Sequence, residues 1–283
     1  MKNNDFRYVL LLLTTSLLWG LAFIAQSDAS KYIGPFTFMA IRSLLGALTL
    51  IPLILFTKTK IKDKNTIVSG IILGVVFTLA SVSQQAGVAH TTIAKSGFIT
   101  TLYIILVPLF EFVIFHNKIG LRNIICVILS TVGLFILFQM KLSFNKGDLL
   151  VLLSAVLFSI HMIIINRFSK YDGIALSFIQ LLTATVISFF ATLLFETPSL
   201  PSIVNATPAI LYAGIVSSGI AYTLQIIGQK RVDPTVSAIC LSMESFFATI
   251  FGFLILKQTL SNQEVIGCML MFASIILSQI NND

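Results

Sequence analysis

Residues 8–26 read YVLLLLTTSLLWGLAFIAQ, a run of nineteen residues without a charged side chain. About 20 apolar residues in a helix are enough to cross the hydrocarbon core of a bilayer. Because backbone polar groups in lipid must be paired within the segment, an apolar run of this length predicts a membrane-spanning helix.

The same pattern recurs along the 283-residue chain and predicts ten spans. They are 8–26, 35–56, 66–87, 93–115, 121–138, 148–166, 174–195, 208–228, 235–256 and 263–280. The composition agrees, since 57% of the residues are hydrophobic and only 10% are charged, against about 25% charged in a soluble domain. The sequence therefore excludes a water-soluble globule and predicts an all-α integral membrane protein embedded in the lipid bilayer.

The net charge of +7 is best explained by the orientation of the chain in the membrane. The basic residues are scattered over short loops and are not gathered on one aromatic-studded face, which argues against a nucleic-acid partner. With the amino terminus in the cytoplasm, twelve of the eighteen Lys and Arg residues fall on the inner side and five on the outer side. This bias predicts an inner (plasma) membrane protein with both termini in the cytoplasm.

The second half of the chain repeats features of the first at a spacing of about 141 residues. Three positions of the third span recur in the eighth, where Ala80, Gln84 and Gly87 correspond to Ala221, Gln225 and Gly228. We therefore predict two five-helix repeats, 1–140 and 147–281. An odd number of spans per unit gives the two copies opposite orientations, which is the inverted-repeat plan of secondary transporters built around a central cavity.

Several short motifs carry a family resemblance. They are Trp19-Gly20 with Phe23, Pro35 and Arg42, then Gln84-Gln85-Ala86-Gly87, Ser96-Gly97-Phe98-Ile99-Thr100 and Val107-Pro108-Leu109, and in the second half Ala221-Tyr222-Thr223-Leu224-Gln225, Gln229-Lys230 and Met243-Glu244-Ser245. On these motifs the chain resembles the EamA-type transporters of the drug/metabolite transporter superfamily. The resemblance implies ten helices, of which one to four and six to nine surround a central cavity, and it implies export of a metabolite.

The chain departs from the family pattern at three places. Ser245 stands where a proline commonly follows the glutamate of the ninth helix, and Lys257-Gln258 stands where that helix commonly ends in Gly-Glu. His90 replaces a common tyrosine at the outer mouth. The role of the second family glutamate therefore does not carry over to this chain.

Glu244 is the first candidate for a functional site. It lies about ten residues into its predicted span, where an ionised side chain is costly and needs a partner or a wet cavity. At the repeat spacing its counterpart is Leu102 or Tyr103, so the inverted repeat predicts Tyr103 and Glu244 on opposite walls of one central space. Glu244 is then a proton carrier or a counter-charge for an amine; the alternative is a structural carboxylate bonded to serines such as Ser242 or to a neighbouring helix.

Arg42 is the second ionisable candidate. It lies about eight residues from the outer end of its span, where a long side chain can reach the interface. An anchoring or structural pairing role is one interpretation. A clamp for a substrate carboxylate is the other, because the planar guanidinium fork fits that group.

Uncharged polar and aromatic side chains complete the predicted binding site. They fall on helices that the family places around the cavity: Trp19, Gln84, Gln85, Tyr103, Ser159, His161, Gln180, Tyr222 and Gln225. For each glutamine, interhelical hydrogen bonding is an equal alternative. His161 is either a proton shuttle or a packed group, and Trp19 is either a packing residue or a cavity wall that stacks on a ring or cation.

Enzyme motifs and metal spacings do not occur in the sequence: HExxH, GxSxG and GxxxxGK[ST] are absent, and the three cysteines form no CxxC. We predict no cofactor, no metal and no enzymatic activity. The predicted function is a secondary transporter, an exporter of a small organic metabolite or amino acid that works by alternating access. Proton exchange and facilitated efflux both fit, a passive channel or an intramembrane enzyme is the alternative, and the oligomeric state is open.

Overall fold

The computed structural model describes residues 3–61, 63–138, 145–256 and 261–279, and every regular element in these ranges is helical. The elements are α1 (Asn3–Gly20), α2 (Ala22–Ala29), α3 (Pro35–Thr57), α4 (Lys64–Val88), α5 (Ile93–Thr101), α6 (Tyr103–Val113), α7 (Leu121–Phe138), α8 (Lys146–Arg167), α9 (Gly173–Phe195), α10 (Leu200–Asn205), α11 (Thr207–Leu211), a π-helical segment (Tyr212–Ala221), α12 (Tyr222–Gln229), α13 (Pro234–Leu241), α14 (Met243–Leu256) and α15 (Asn262–Gln279). The all-α prediction is confirmed. The predicted repeat limits 1, 140 and 281 and the pair Lys257-Gln258 lie outside the described residues.

Eight helical stretches in the described ranges are long and apolar enough to cross a membrane. They are Phe6–Ala29, Pro35–Thr57, Lys64–Val88, Lys95–Val113, Lys146–Arg167, Gly173–Phe195, Thr207–Gln229 and Pro234–Phe251. Each coincides with a predicted span. Helices α7 and α15 lie at the two remaining predicted positions, and the apolar part of α7, Leu121–Leu137, is shorter than the others. The protein is therefore a multi-pass membrane protein.

Large apolar side chains on the outside of the bundle support this assignment. Phe56 is 87% exposed and Leu194 is 76% exposed. A soluble protein rarely exposes apolar surface on this scale. In a bilayer the same side chains contact lipid tails.

Short polar side chains start the long helices. Asp63, Asp172 and Asp233 each accept hydrogen bonds from the first backbone N–H groups of α4, α9 and α13. Asn145 and Asp148 form a reciprocal capping box at the start of α8. Because the first four N–H groups of a helix have no partner within it, these caps fix where each helix begins.

Helix α3 is capped from a distant element. The carboxylate of Glu196, at the end of α9, accepts hydrogen bonds from Phe36 N at 2.9 Å, Thr37 N at 2.8 Å and Thr37 Oγ1 at 2.5 Å. Residues 36 and 196 are far apart in sequence and belong to different predicted repeats. The contact therefore joins the two halves at one end of the bundle.

Replacement of Glu196 by alanine is expected to lower the free energy of unfolding by about 1 kcal/mol, the usual cost of losing a helix cap. The measurement is thermal or denaturant unfolding in detergent. Glu196→Gln is the matched control, since it retains one acceptor oxygen and should lose less. Equal stability of the alanine variant and the wild type would contradict this role.

Helices from the two halves of the chain interleave. Helix α4 packs against α8 and α9, α3 packs against α9 and the π-helical segment, and α1 packs against α12, α13 and α14. Helices α7 and α15 pack against each other. The interior enclosed by these contacts holds the polar residues described next.

Candidate functional site

Three of the long helices are interrupted in the middle. Single residues separate α1 from α2, α5 from α6, and α13 from α14: these are Leu21, Leu102 and Ser242. Their backbones are in the right-handed helical region, with ψ angles of −17°, −12° and −15°, respectively. These angles give a tighter turn than the ψ of a regular α-helix. Tight turns of this kind tilt the two halves of a helix and bring side chains from both halves to one place.

A cavity lies at these interruptions and is enclosed by residues from both halves of the chain. It is lined by Trp19, Ala22, Phe23, Gln26, Arg42, Gln84, Thr100, Tyr103, Phe158, Met162, Ser217, Tyr222, Gln225, Leu241 and Glu244. Seven of the eleven predicted site residues are in this set: Trp19, Arg42, Gln84, Tyr103, Tyr222, Gln225 and Glu244. Gln85, Ser159, His161 and Gln180 are not.

Glu244 forms the acidic wall of the cavity and is only 4% exposed. Its carboxylate accepts a hydrogen bond from the Tyr103 hydroxyl at 3.1 Å. The hydroxyls of Thr101 and Ser245 lie 3.0 Å apart beside this contact. The two interrupted helices are therefore joined by two polar contacts next to their breaks. Of the structural partners suggested for Glu244, Ser242 instead bonds the carbonyl of Ile239, whereas the neighbouring helix supplies Tyr103.

Arg42 forms the basic wall and is 3% exposed. Its Nε donates to Ser218 Oγ at 2.9 Å and its Nη2 donates to Ser217 Oγ at 3.2 Å, while the guanidinium lies 5.4 Å from the centre of the Phe38 ring. No carboxylate of the described residues forms an ion pair with it. The guanidinium is thus buried at the cavity and does not reach the bundle surface.

Aromatic rings form a third wall. The Trp19 and Tyr222 ring centres are 4.7 Å apart, and Tyr222 meets Phe77 edge to face at 4.5 Å. Trp19 Nε1 donates to the carbonyl of Ser217 at 3.3 Å. Trp19 therefore packs against other rings in the interior and also lines the cavity. Its position is compatible with both interpretations, a packing residue and a cavity wall.

The predicted glutamines divide into two groups. Gln84 and Gln225 line the cavity; Gln84 donates to Thr100 Oγ1 at 3.1 Å, and the buried Oε1 of Gln225 has no hydrogen-bond partner among the described residues. Gln85 instead donates to the carbonyl of Gln26 at 2.9 Å and does not line the cavity. An unpaired buried acceptor such as Gln225 Oε1 is a group that water or a substrate would satisfy.

His161 and Gln180 form a buried pair behind the aromatic wall. His161 Nε2 lies 2.7 Å from Gln180 Oε1, and the Phe77 and Tyr222 rings lie 5.8 and 6.5 Å from the imidazole. Ser159 bonds the carbonyl of Ala155 within its own helix at 2.7 Å. These three predicted residues contribute to packing around the site and do not contact the cavity.

Gln26, Thr100 and Ser217 line the cavity but were not among the predicted residues. Counted from Trp19, the cavity residues Ala22, Phe23 and Gln26 lie three, four and seven positions further along the chain. This is the i, i+3, i+4, i+7 spacing of one helix face. That spacing could have identified Gln26. Ser217 precedes Tyr222 by five residues, which is the spacing of a π-helix and not of an α-helical face.

A multi-pass helical bundle around a cavity that carries both charges is an arrangement typical of membrane transporters. The chain belongs to the EamA-like transporter family, whose model matches it twice, over residues 6–139 and 145–279. This match confirms the family resemblance found in the sequence.

Two relatives extend over almost the whole chain. An uncharacterized transporter of Archaeoglobus fulgidus is 26% identical over 270 residues, 93% of this chain and 82% of the relative. The uncharacterized transporter YoaV of Bacillus subtilis is 21% identical over 280 residues, 94% of each chain. A crystal structure of a protein 20% identical in sequence matches with a TM-score of 0.81 over 96% of each chain, and so shares the fold.

Proposed function

We propose that the protein is a secondary transporter that moves a small organic metabolite or amino acid across the inner (plasma) membrane by alternating access. In this proposal α7 and α15 also cross the bilayer, which gives ten spans in two inverted repeats, 1–140 and 147–281. The double match of the family model, over 6–139 and 145–279, supports the repeat. Both termini lie in the cytoplasm, in accordance with the distribution of Lys and Arg.

Pairs of cavity residues at the repeat spacing support a shared central site. Tyr103 and Glu244 are 141 positions apart and form a hydrogen bond with each other. Gln84 and Gln225 are also 141 positions apart and both line the cavity. An inverted repeat brings equivalent positions of its two copies together near the middle of the membrane.

The observation that carries the proposal is a buried acid and a buried base in one cavity. Glu244 and Arg42 both line it and form no ion pair with each other. Each charge in a membrane interior is costly unless it is matched. A solute that carries an amino group and a carboxylate would match both, which favours an amino acid or a similar zwitterion.

Export is the direction that the family resemblance implies. Proton exchange and facilitated efflux both fit the site, because Glu244 can serve as a proton carrier or as a fixed counter-charge. An intramembrane enzyme is less well supported, since His161 lies behind Tyr222 and does not converge with Glu244 and Arg42.

Counterflow in proteoliposomes tests the proposal. Vesicles containing the purified protein are preloaded with single amino acids from a panel of the twenty, and uptake of the same labelled amino acid is followed. A transporter is expected to show saturable uptake that is accelerated by solute on the opposite side. A passive channel, the alternative function, would show neither saturation nor acceleration, and the absence of flux for every amino acid would exclude this substrate class.

A further inference from the structure

The guanidinium of Arg42 has more hydrogen-bond donors than the protein uses. A guanidinium carries five N–H donors in a rigid fork. Within the described ranges two of them are used, by Ser218 at 2.9 Å and Ser217 at 3.2 Å. Arg42 is 3% exposed and lines the cavity. Since buried donors take up partners, the remaining donors are available to an acceptor inside the cavity.

The two serines come from the π-helical segment Tyr212–Ala221. In an α-helix consecutive side chains are about 100° apart, so neighbouring hydroxyls diverge. A π-helix closes its hydrogen bonds over five residues, so its turn is wider and consecutive side chains diverge less. This geometry allows Ser217 and Ser218 to contact one guanidinium from adjacent positions.

Helix α3 approaches the π-helical segment closely at this point. A Cβ atom on Gly46 would lie 2.9 Å from Ser218 Cβ and 3.1 Å from Gly214 O, so only glycine permits the observed spacing. Gly46 is four residues from Arg42 and therefore lies on the same face of α3. The close approach sets the distance between Arg42 and the serines.

Helix α1 holds the same segment from the other side. Trp19 Nε1 donates to Ser217 O at 3.3 Å, and Thr15 Oγ1 donates to Ala221 O at 3.2 Å. In the opposite direction, the Tyr212 hydroxyl donates to Leu18 O at 2.5 Å. The serines are thus presented to Arg42 by a backbone that is fixed independently of the guanidinium.

We infer that Ser217 and Ser218 are positioning residues that hold Arg42 as the carboxylate-binding group of the cavity, and so determine specificity for solutes with a carboxylate. The inference rests on the proposed transport function. Arginine is suited to this role because its planar fork can bind a carboxylate through two parallel N–H···O bonds. The serines occupy one edge of the fork and leave the rest of it for the substrate.

The first test compares an acid with its neutral analogue. The amino acid with the largest counterflow in the panel and its amide are assayed with the wild type and with the double variant Ser217→Ala, Ser218→Ala. We expect the KM of the acid to rise about tenfold, because a hydrogen-bonded charge loses its orientation. The KM of the amide and the maximal rate of both solutes should stay within about twofold of the wild type.

Ser159→Ala is the matched control, since Ser159 is a buried serine of a neighbouring helix whose hydroxyl bonds its own helix. It should leave both KM values unchanged. Equal changes for acid and amide in the double variant, or a wild type that does not distinguish the two, would overturn the inference.

A second measurement does not depend on transport. Trp19 is the only tryptophan of the chain and bonds the carbonyl of Ser217, so its emission reports on this part of the cavity. Titration of the detergent-solubilised protein with acetate should shift the emission saturably, whereas acetamide should not, and Arg42→Gln should abolish the response to acetate. If acetate and acetamide give the same response, the inference is overturned. A response to acetate in a protein that shows no amino acid flux supports the inference and shows that only the amino acid transport proposal fails.

Discussion

Replacement of Glu244 by glutamine is expected to abolish pH-dependent transport and to weaken the binding of amine-bearing solutes by about 10- to 100-fold, which is the worth of a hydrogen bond to a charged group. Glutamine has nearly the same volume and can still accept the hydrogen bond from Tyr103, which the structure places at 3.1 Å. The variant should therefore fold. The glutamine side chain has neither a negative charge nor a site for a transferable proton, so it cannot couple proton movement to transport.

The measurement is uptake into proteoliposomes at several external pH values, with the solute that shows the largest counterflow. Glu111→Gln is the matched control, because Glu111 is also a buried carboxylate on a long helix but bonds Asn117 and lines a different pocket. The control should transport like the wild type. Unchanged pH dependence in Glu244→Gln would remove this residue from coupling, and unchanged amine binding would remove it from the site.

Tyr103→Phe separates the charge of Glu244 from its orientation. This change removes the hydroxyl that bonds Glu244 and leaves the carboxylate in place. Its effect on transport should be smaller than that of Glu244→Gln and should appear mainly in KM. A larger effect would mean that Tyr103 itself contacts the substrate.

Much of the fold could be predicted from the sequence because the bilayer imposes a simple length rule. Apolar runs of about 20 residues identified the positions of the helices, and their ends follow from capping residues such as Asp63 and Asp172. The mid-helix breaks at Leu102 and Ser242 could not be predicted, since neither position carries a glycine or proline. They arise where α5 and α6 meet α13 and α14, and tertiary packing overrides local preference at such points.

The candidate site was predictable where ordinary helical spacing holds. Tyr103 and Glu244 follow from the repeat spacing, and they form a hydrogen bond in the structure. Ser217 escaped prediction because the π-helical segment shifts the face of the helix by a residue. The sequence pattern also cannot tell which of two neighbouring polar residues turns inward: Gln84 lines the cavity, whereas Gln85 bonds the backbone of another helix.

Replacement of Gly267 by leucine is expected to prevent native packing of α7 against α15. A Cβ atom at Gly267 would lie 2.6 Å from Gly133 O and 2.7 Å from Leu137 N, both of them backbone atoms that cannot move aside as a side chain could. Gly267→Ala alone should lower the free energy of unfolding by about 1–3 kcal/mol, the usual cost of overpacking. The leucine variant should not be recovered as a monodisperse protein after detergent extraction.

Gly120→Ala is the matched control, since a Cβ there would meet no atom within 4 Å and its effect should stay within about 0.5 kcal/mol. The comparison tests the architecture because Gly133 and Gly267 belong to different predicted repeats. A hydrogen bond from Ser274 Oγ to Cys126 O, at 2.8 Å, joins the same pair of helices. Within a membrane, apolar side chains gain little by leaving lipid for each other, so close backbone contact between small residues is what holds such helices together. If Gly267→Leu were as stable as the wild type, α7 and α15 would not be paired, and the proposal that each repeat contributes its fifth span to a common interface would fail.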